Sequence, residues 1–417
     1  MKMPFKAGNI LLPKKNIDLT KWSTVACDQY TSEQEYWKKL DKVVGDSPST
    51  LRITLPEIYL EDRVEARIKD INETMEKYLQ DDLFDEYKDS IFYIKRRQKD
   101  GRIRDGIIGV VDLEEYDYTP GSDSLIRATE KTIIERIPPR VKIREKALLE
   151  LPHIMILIDD SKKEIIEGLR EKVSKELQVY DFELNMDGGY LEGYNLNDQL
   201  KEEVLNDLNK LMDKKAFEKK YGVKDKGVLL FAVGDGNHSL STAKTIYEDL
   251  KKTDKDYLNS SSRYTLAELV NLHSEALDFE AIHRIVFDTD SNKMLKELYE
   301  YYKINEEKKG QKVEIILNGK AKSIYIENPK SNLAVGSIQI FLDSYLKKNE
   351  GIIDYIHGYD TVIELSKKEN SIGFIFDAIC KDELFKTIIL DGVLPLKTFS
   401  MGHSNDKRYY NEARKIK

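Results

Sequence analysis

The sequence is poor in cysteine and histidine, the residues that most often mark thiol and zinc chemistry. Its 417 residues include 2 Cys and 6 His. Two thiols cannot build a disulfide framework or a four-thiolate zinc site, and no H-x-x-x-H pair is present. The zinc deaminase signature and the G-x-S-x-G elbow of serine hydrolases are absent as well. We therefore expect Cys27 and Cys380 to be small buried groups of a reduced, cytoplasmic protein.

The sequence also lacks long apolar runs and an excess of basic residues. Without a run of about 18 apolar residues no membrane-spanning helix is expected, and the first six residues lack the apolar core of a secretion signal. Lys and Arg number 67 against 75 Asp and Glu, which gives a formal charge of −8. This balance argues against a general nucleic-acid partner. The 24 Tyr and 13 Phe residues indicate a folded chain.

Apolar strands alternate with amphipathic segments along the chain, which predicts an α+β (mixed α/β) fold. The pattern predicts a strand over 53–60, a helix over 161–177 and a single helix over 197–221. The Pro138-Pro139 pair predicts that the Arg- and Glu-rich stretch over 114–152 is irregular, because proline interrupts a helix interior.

The character of the sequence changes after Phe287, and this change predicts three parts. We expect a main α+β domain over 1–286 and a small α+β insert or cap over 287–353. The C-terminal segment over 354–417 is then expected to return to the main domain.

The strongest chemical signal is a glycine turn between an apolar strand over 227–233 and a helix over 239–252. Its residues are Gly234, Asp235, Gly236, Asn237, His238 and Ser239. Glycines allow positive φ and close approach of a ligand, and the start of a helix attracts anions, most often phosphate. Asp235 could accept a hydroxyl proton or bind a metal. The alternative is an ordinary turn in which Asp235 or Ser239 caps the helix. The spacing matches neither a P-loop nor a dinucleotide fingerprint.

Three further segments could contribute to an anion site. The first comprises Arg127, Glu130, Thr132, Arg140 and Arg144, the second His283 and Arg284, and the third Lys397 and Thr398. Arginine binds phosphate through two parallel hydrogen bonds. Taken singly, these segments are also compatible with a solvated ion-paired loop, a partly buried histidine and an ordinary strand and turn.

Together these segments resemble a known family. The glycine turn resembles the Asp-Gly-His-His-Arg turn of a large bacterial and archaeal family of unknown function. Segments 26–30, 128–132, 281–284 and 395–398 resemble its Pro-Pro-Tyr-Asp, His-Glu-Arg-Thr, Pro-Thr-His-Arg and Pro-x-Lys-Ser-Thr motifs. The turn also resembles that of free-serine kinases with a ParB/sulfiredoxin-like fold. The resemblance implies a core of that fold with extra sheets and helices.

The implied activity is phosphoryl transfer to a small hydroxyl-bearing metabolite, with L-serine as the best guess and pyrophosphate or a nucleotide as donor. Asp235, Glu130 and His238 are the predicted catalytic residues, and Asp235 is the predicted Mg²⁺ ligand. The remaining residues would bind phosphate or substrate: Gly234, Gly236, Asn237, Ser239, Arg127, Thr132, Arg140, Arg144, His283, Arg284, Lys397 and Thr398. A non-catalytic sensor of a nucleotide or phosphometabolite, or a phosphatase or nucleotide hydrolase, would need the same anion cradle. The expected partner is a small-molecule substrate.

Overall fold

The computed structural model describes residues 2–132, 137–151, 154–395 and 397–417. The chain forms two compact units. The first unit comprises Met1–Ala128, Thr132–Leu277 and Gly402–Lys417, and the second comprises Thr129–Lys131 and Asp278–Met401. The three-part division expected from the sequence stays a prediction.

Strands and helices alternate along the chain. The strands are β1 (Phe5–Lys6), β2 (Gly8–Pro13), β3 (Phe84–Ser90), β4 (Phe92–Arg97), β5 (Ile103–Asp112), β6 (Tyr116–Asp117), β7 (Ile126–Ala128), β8 (Leu149–Glu150), β9 (Met155–Ile158), β10 (Gln178–Leu184), β11 (Gly189–Asn195), β12 (Phe231–Asp235), β13 (Tyr264–Asn271), β14 (Phe279–Phe287), β15 (Ile304–Asn305), β16 (Gln311–Leu317), β17 (Lys320–Ile326), β18 (Ile352–His357), β19 (Ile372–Ile375), β20 (Phe399–Met401) and β21 (Arg414–Lys415). The helices are α1 (Leu19–Trp22), α2 (Gln34–Val44), α3 (Val64–Gln80), α4 (Ile137–Arg144), α5 (Asp198–Lys210), α6 (Lys214–Tyr221), α7 (Asn237–Thr253), α8 (Ser291–Tyr301), α9 (Ala334–Leu346), α10 (Tyr359–Leu365) and α11 (Lys381–Asp391). The predicted mixed α+β class is confirmed. None of the helices in the described ranges is both long enough and apolar enough to cross a membrane.

The first unit is built on a ten-stranded sheet. Its order is β10-β11-β4-β5-β13-β9-β12-β7-β6, and β1 pairs with β5 outside that path. Strand β12 runs parallel to β7 and antiparallel to β9, so it lies inside the sheet rather than at an edge. Strand β5 is covered on both faces, because all of its residues after the first are buried. The segment that follows β12 therefore leaves the sheet from a fixed position.

The core of the first unit forms where amphipathic helices cover apolar strands. Ile68, Ile71, Met75 and Tyr78 recur at helical spacing on α3 and are buried. They belong to a cluster that also includes Trp22 and residues of β3 and β8. This packing, rather than intrinsic propensity, holds α3 in place, because its opposite face is charged.

The second unit is built on a sheet of order β15-β17-β16-β19-β14-β18, in which β20 also pairs with β14. Strands β16 and β17 form a hairpin around Asn318-Gly319, where φ is 48° and 73°. Positive φ at both central residues suits the twist of a two-residue hairpin. Helix α9 is the most apolar helix of this unit and is buried over most of its length.

Four secondary-structure predictions are wrong. Segment 53–60 contains the 3-10 turn Glu57–Tyr59 instead of a strand, because Pro56 cannot donate to a sheet ladder. Segment 161–177 contains the 3-10 turns Glu167–Glu171 and Lys175–Leu177 instead of an α-helix. There the Asp160 carboxylate accepts from the N–H groups of Lys162 and Ile165, which competes with helix formation.

The stretch expected to be irregular contains α4, because Pro138 and Pro139 fall in its first turn, where no backbone donor is needed. Residues 133–136 of this stretch, residues 152 and 153, and residue 396 lie outside the described ranges. The predicted helix over 197–221 is split into α5 and α6, since Asp213 caps a second start. Cys380 is exposed, so the expectation of a buried thiol is wrong for this cysteine.

Candidate functional site

The glycine turn has the backbone geometry that the sequence predicts. Strand β12 ends at Asp235, and α7 begins at Asn237 with Gly236 as its N-cap residue. Gly236 has φ 78°, in the left-handed region that favours glycine. The first helical hydrogen bond runs from Leu240 N to Gly236 O over 2.9 Å. The N–H groups of residues 237–239 are therefore directed beyond the helix end, where an anion is stabilised.

The Asp235 carboxylate is engaged on both oxygens. Its Oδ1 accepts from Gly236 N at 2.9 Å, and its Oδ2 lies 3.2 Å from Lys407 Nζ. Both side chains are about one-fifth exposed, at 22% and 20%. Because the helix cap is Gly236 itself, capping by Asp235 or Ser239 does not describe the turn. Asp235 instead fixes the turn and holds a lysine beside it.

The next three residues, Asn237, His238 and Ser239, are half-buried. Asn237 Nδ2 donates to Val233 O at 3.4 Å, while Asn237 Oδ1 is buried without a partner among the described residues. The His238 carbonyl accepts from the hydroxyls of Ser241 and Thr242. His238 and Ser239 are half-buried, which leaves both side chains within reach of a small ligand.

Helix α4 packs against α7 and brings two predicted arginines to the same region. Arg140 is ion-paired with Glu57, and Arg144 is ion-paired with Glu150. Burial alone would raise the pKa of Glu150, but the guanidinium groups of Arg414 and Arg144 lower it to about 2. The two arginines thus carry carboxylate partners, and an anionic ligand would have to compete with them.

A cavity of about 150 Å³ opens beside the start of α7 in the first unit. Ser239, Arg140 and Arg144 contribute to its lining, together with apolar side chains such as Leu55 and Ile143. Cys27 also lines it, and burial raises the pKa of this thiol to about 12, which makes it a poor nucleophile. Three of the predicted site residues therefore meet at one cavity.

Two other predicted site residues of the first unit, Arg127 and Thr132, are buried. Arg127 is 5% exposed and donates to Ser124 O at 2.9 Å and Gly227 O at 2.7 Å. Burial lowers the pKa of Arg127, and Asp123 opposes that effect. The guanidinium group of Arg127 therefore links two backbone segments rather than binding phosphate through two parallel hydrogen bonds. Thr132 is 7% exposed, and its hydroxyl has no partner among the described residues.

The second unit gathers the other predicted residues around Arg284. Its guanidinium group is fully buried, donates to Gln339 Oε1 at 2.8 Å, and stacks over Tyr355 at 4.6 Å from the ring centroid. Burial lowers the pKa of Arg284 to about 10, although Tyr355 and Glu130 favour its charged form. His283 accepts from Phe376 N at 3.3 Å, and burial followed by the charge of Arg284 lowers its pKa.

Two of the weak sequence segments meet at this arginine. Arg284 Nη1 donates to Lys397 O at 3.0 Å, and Ile282 N donates to Thr398 O at 3.4 Å. Lys397 Nζ lies 5.3 Å from the Tyr355 ring centroid, and Thr398 Oγ1 donates to Pro395 O. A bridge from Glu130 to Leu394 adds the third segment. Apart from Arg127 and Thr132, the predicted residues therefore form one group in each unit.

Several partners of these residues carried no signal in the sequence. Lys407, Glu57 and Glu150 reach the first group through long-range contacts. Tyr355 reaches the second group from strand β18. Local spacing cannot identify such partners, because only the folded sheet brings them near.

The turn does not fit a resident Mg²⁺ ion. Among the described residues, no group of three or more His, Cys, Asp or Glu side chains could hold a metal. Mg²⁺ prefers carboxylate and water oxygens, whereas the Asp235 carboxylate is already paired with an ammonium group.

Comparison with known proteins adds a family to this geometry. Residues 4–345 match the family described as Protein of unknown function (DUF1015). The chain belongs to this family. The predicted membership is thereby confirmed, whereas no curated protein matches the chain.

Solved structures give more distant likenesses to this DUF1015 chain. A free serine kinase in complex with AMP is 10% identical, with a TM-score of 0.38, over 74% of this chain and 91% of that one. A truncated SbnI from Staphylococcus aureus is 10% identical, with a TM-score of 0.38, over 73% and 85% of the two chains. A conserved hypothetical protein from Pyrococcus furiosus is 11% identical, with a TM-score of 0.34, over 74% and 95%.

Proposed function

We propose that this DUF1015 chain transfers a phosphoryl group to a small hydroxyl-bearing metabolite, with L-serine as the preferred acceptor and pyrophosphate or a nucleotide as donor. The observation that carries the proposal is the left-handed Gly236 between β12 and the 17-residue helix α7. This geometry directs helix N–H groups at one point, as phosphate binding requires. The motif resemblance supplies the choice of serine and the ParB/sulfiredoxin-like core, which stays a prediction.

In this proposal the turn positions phosphate and neutralises its charge, which phosphoryl transfer needs more than covalent chemistry. The N–H groups of residues 237–239 and the His238 side chain bind phosphoryl oxygens. Lys407, already beside the turn, supplies the positive charge. Because Asp235 is paired with Lys407, we assign it the positioning of that lysine rather than proton transfer.

The residues of the second unit keep their predicted roles as proposals. Glu130 is the preferred proton acceptor, and Arg284, His283, Lys397 and Thr398 are proposed to bind substrate. Their support is the cluster around Arg284, in which a buried cation lies close to polar groups of three separate segments.

The test is to incubate the full chain with L-serine, Mg²⁺ and either pyrophosphate, ADP or ATP, and to measure phosphoserine by mass spectrometry. We expect product with at least one donor and a loss of about 100-fold or more in His238→Ala. His357→Ala, an exposed histidine on β18, is the matched control and should keep full activity. Absence of phosphoserine with all three donors would overturn the proposal.

A non-catalytic sensor is the second candidate, and the Asp235–Lys407 pair favours it. The ion pair with Lys407 engages the Asp235 carboxylate, and a turn built in this way binds a phosphorylated ligand without itself contributing a proton acceptor. In that case a donor raises the unfolding temperature of the chain while no phosphoserine forms.

A further inference from the structure

The stretch 410–412 of the C-terminal segment is held in the first unit by its side chains. The backbone pairs on either side of it, where Tyr409 N donates to Thr24 O and Ala413 N donates to Leu11 O, each at 2.9 Å. Within the described part of the chain, residues 410–412 themselves form no backbone-to-backbone hydrogen bond. Their side chains are nevertheless 2%, 0% and 0% exposed. The docking of this stretch therefore depends on how well its side chains suit the interior.

Glu412 is the acidic side chain of the stretch, and its surroundings suit a protonated carboxyl group. Its Oε1 accepts from Tyr180 OH at 2.6 Å, whereas its Oε2 is buried without a partner among the described residues. Gly193 on the neighbouring strand leaves room for the Tyr180 ring, since a Cβ there would lie 2.1 Å from Tyr180 Cζ. One neutral donor does not compensate for a buried negative charge.

The charged groups beside Glu412 do not supply a counter-ion. Glu268 of β13 is a second carboxylate, and the buried Arg104 of β5 is ion-paired with it at 3.3 Å and donates to the Tyr410 hydroxyl. Burial raises the pKa of Glu412 from 4.5 to about 7; the hydrogen bond from Tyr180 opposes this shift, and the charge of Glu268 adds to it. Because the pKa is raised in the folded state, the docked segment loses stability as the pH rises from about 4.5 to about 7, with no further loss above that range.

The same segment carries Lys407 to the glycine turn. The Lys407 carbonyl accepts from Ala26 N at 2.9 Å, and its ammonium group lies 3.2 Å from Asp235. We propose that Glu412 is a proton-controlled latch, which keeps the C-terminal segment docked and Lys407 at the turn when protonated and favours release of the segment when ionised. The effect of this release on ligand binding rests on the proposed function, in which Lys407 neutralises phosphate; the latch itself does not.

The test is hydrogen–deuterium exchange of the full chain, followed by mass spectrometry and corrected for the intrinsic exchange rate at each pH. We expect the protection of residues 409–413 to fall on the order of 50-fold between about pH 5 and about pH 8, and to change little above that. In Glu412→Gln, which keeps an acceptor for Tyr180, it should change less than about threefold. Glu183→Gln, an exposed carboxylate on β10, is the matched control and should behave like the wild type.

A second variant keeps the test decisive if Glu412→Gln does not fold. Tyr180→Phe removes the hydrogen bond that lowers the pKa of Glu412, so protection should continue to fall to a higher pH than in the wild type. A wild-type protection that is independent of pH, or that falls equally in Glu412→Gln, would overturn the latch. An equal fall in the amides of β5 would also overturn it, because the segment would then open only when the whole unit unfolds.

Added pyrophosphate separates the latch from the proposed function. If Lys407 binds phosphate at the turn, pyrophosphate should raise the protection of residues 409–413 in the wild type and much less in Lys407→Met. A pH dependence that requires Glu412, without any response to pyrophosphate, would support the latch and overturn the role of Lys407 in the proposed function. A response to pyrophosphate without a pH dependence would overturn the latch and leave the proposed function standing.

Discussion

Glu150 provides the sharpest test of how the first unit is held together. Its carboxylate is 5% exposed and is ion-paired with Arg144 and, at 2.6 Å, with Arg414. It also accepts from Thr265 Oγ1 at 2.9 Å and Leu266 N at 3.0 Å. Glu150→Gln keeps the shape of the side chain and removes the charge. The perturbation therefore leaves two guanidinium groups without their shared counter-ion.

The magnitude follows from the pKa of Glu150, which is lowered from 4.5 to about 2. One pKa unit corresponds to about 1.4 kcal/mol, so ionised Glu150 stabilises the folded state by on the order of 3 kcal/mol at neutral pH. Because its folded pKa is depressed, this contribution is complete above about pH 4.5 and is lost as the pH falls toward about 2. The range agrees with the cost of about 3–5 kcal/mol for breaking a buried ion pair.

The assay is urea unfolding followed by tryptophan fluorescence. Both tryptophans of the chain, Trp22 and Trp37, lie in the first unit, so the signal reports on that unit. We expect Glu150→Gln to lose about 3 kcal/mol at pH 7, and the difference from wild type to shrink by on the order of 1 kcal/mol at pH 3.5. Glu73→Gln, an exposed carboxylate on α3, should change little. A loss below about 1 kcal/mol at pH 7, or a difference that is constant with pH, would refute the reasoning.

Three further predictions concern the turn and its neighbours. Gly236→Ala should cost about 1–2 kcal/mol of stability and weaken pyrophosphate binding in calorimetry, because φ is 78° there, whereas Gly168→Ala, with open space around it, should do neither. Lys407→Met should weaken pyrophosphate binding about fivefold or more in the same titration, and Lys407→Arg should restore most of it; unchanged affinity in Lys407→Met would exclude the lysine from the site. Arg127→Met removes the hydrogen bonds to two backbone carbonyls, so it should lose about 1–3 kcal/mol in urea unfolding while KM for the phosphoryl donor stays unchanged. Unchanged stability with a raised KM for the phosphoryl donor would instead place Arg127 in the site.

The part of the site that could be predicted from sequence is the part encoded locally. The β12–turn–α7 unit follows from an apolar run, two close glycines and a helical pattern, and it is observed within a few residues of the expected bounds. Short-range sterics determine such a unit, so its geometry needs little help from the rest of the fold.

The rest depends on contacts between distant segments. The pairing of Asp235 with Lys407, and of Glu150 with Arg144 and Arg414, is set by the sheet and by the path of the C-terminal segment. Helix α4 was not predicted, whereas the helix predicted over 161–177 is replaced by 3-10 turns. Local patterns can therefore both miss a helix and predict one wrongly. In α4 the two prolines lie in the first turn, where a helix tolerates them. In segment 161–177 the Asp160 carboxylate binds backbone N–H groups that a helix would use, although the apolar spacing favours a helix.

The division of the first unit along the chain has a consequence for its biosynthesis. Gly402–Lys417 belongs to this unit, yet residues 278–401 are synthesised before it. Arg414, Lys407 and strand β21 therefore reach the ribosome exit after that segment, which at about 5–20 residues per second delays them by on the order of 10 s. During that interval Glu150 stands without Arg414 and the glycine turn without its lysine. A nascent chain stalled before residue 402 should consequently be far more sensitive to protease within the first unit than the released protein.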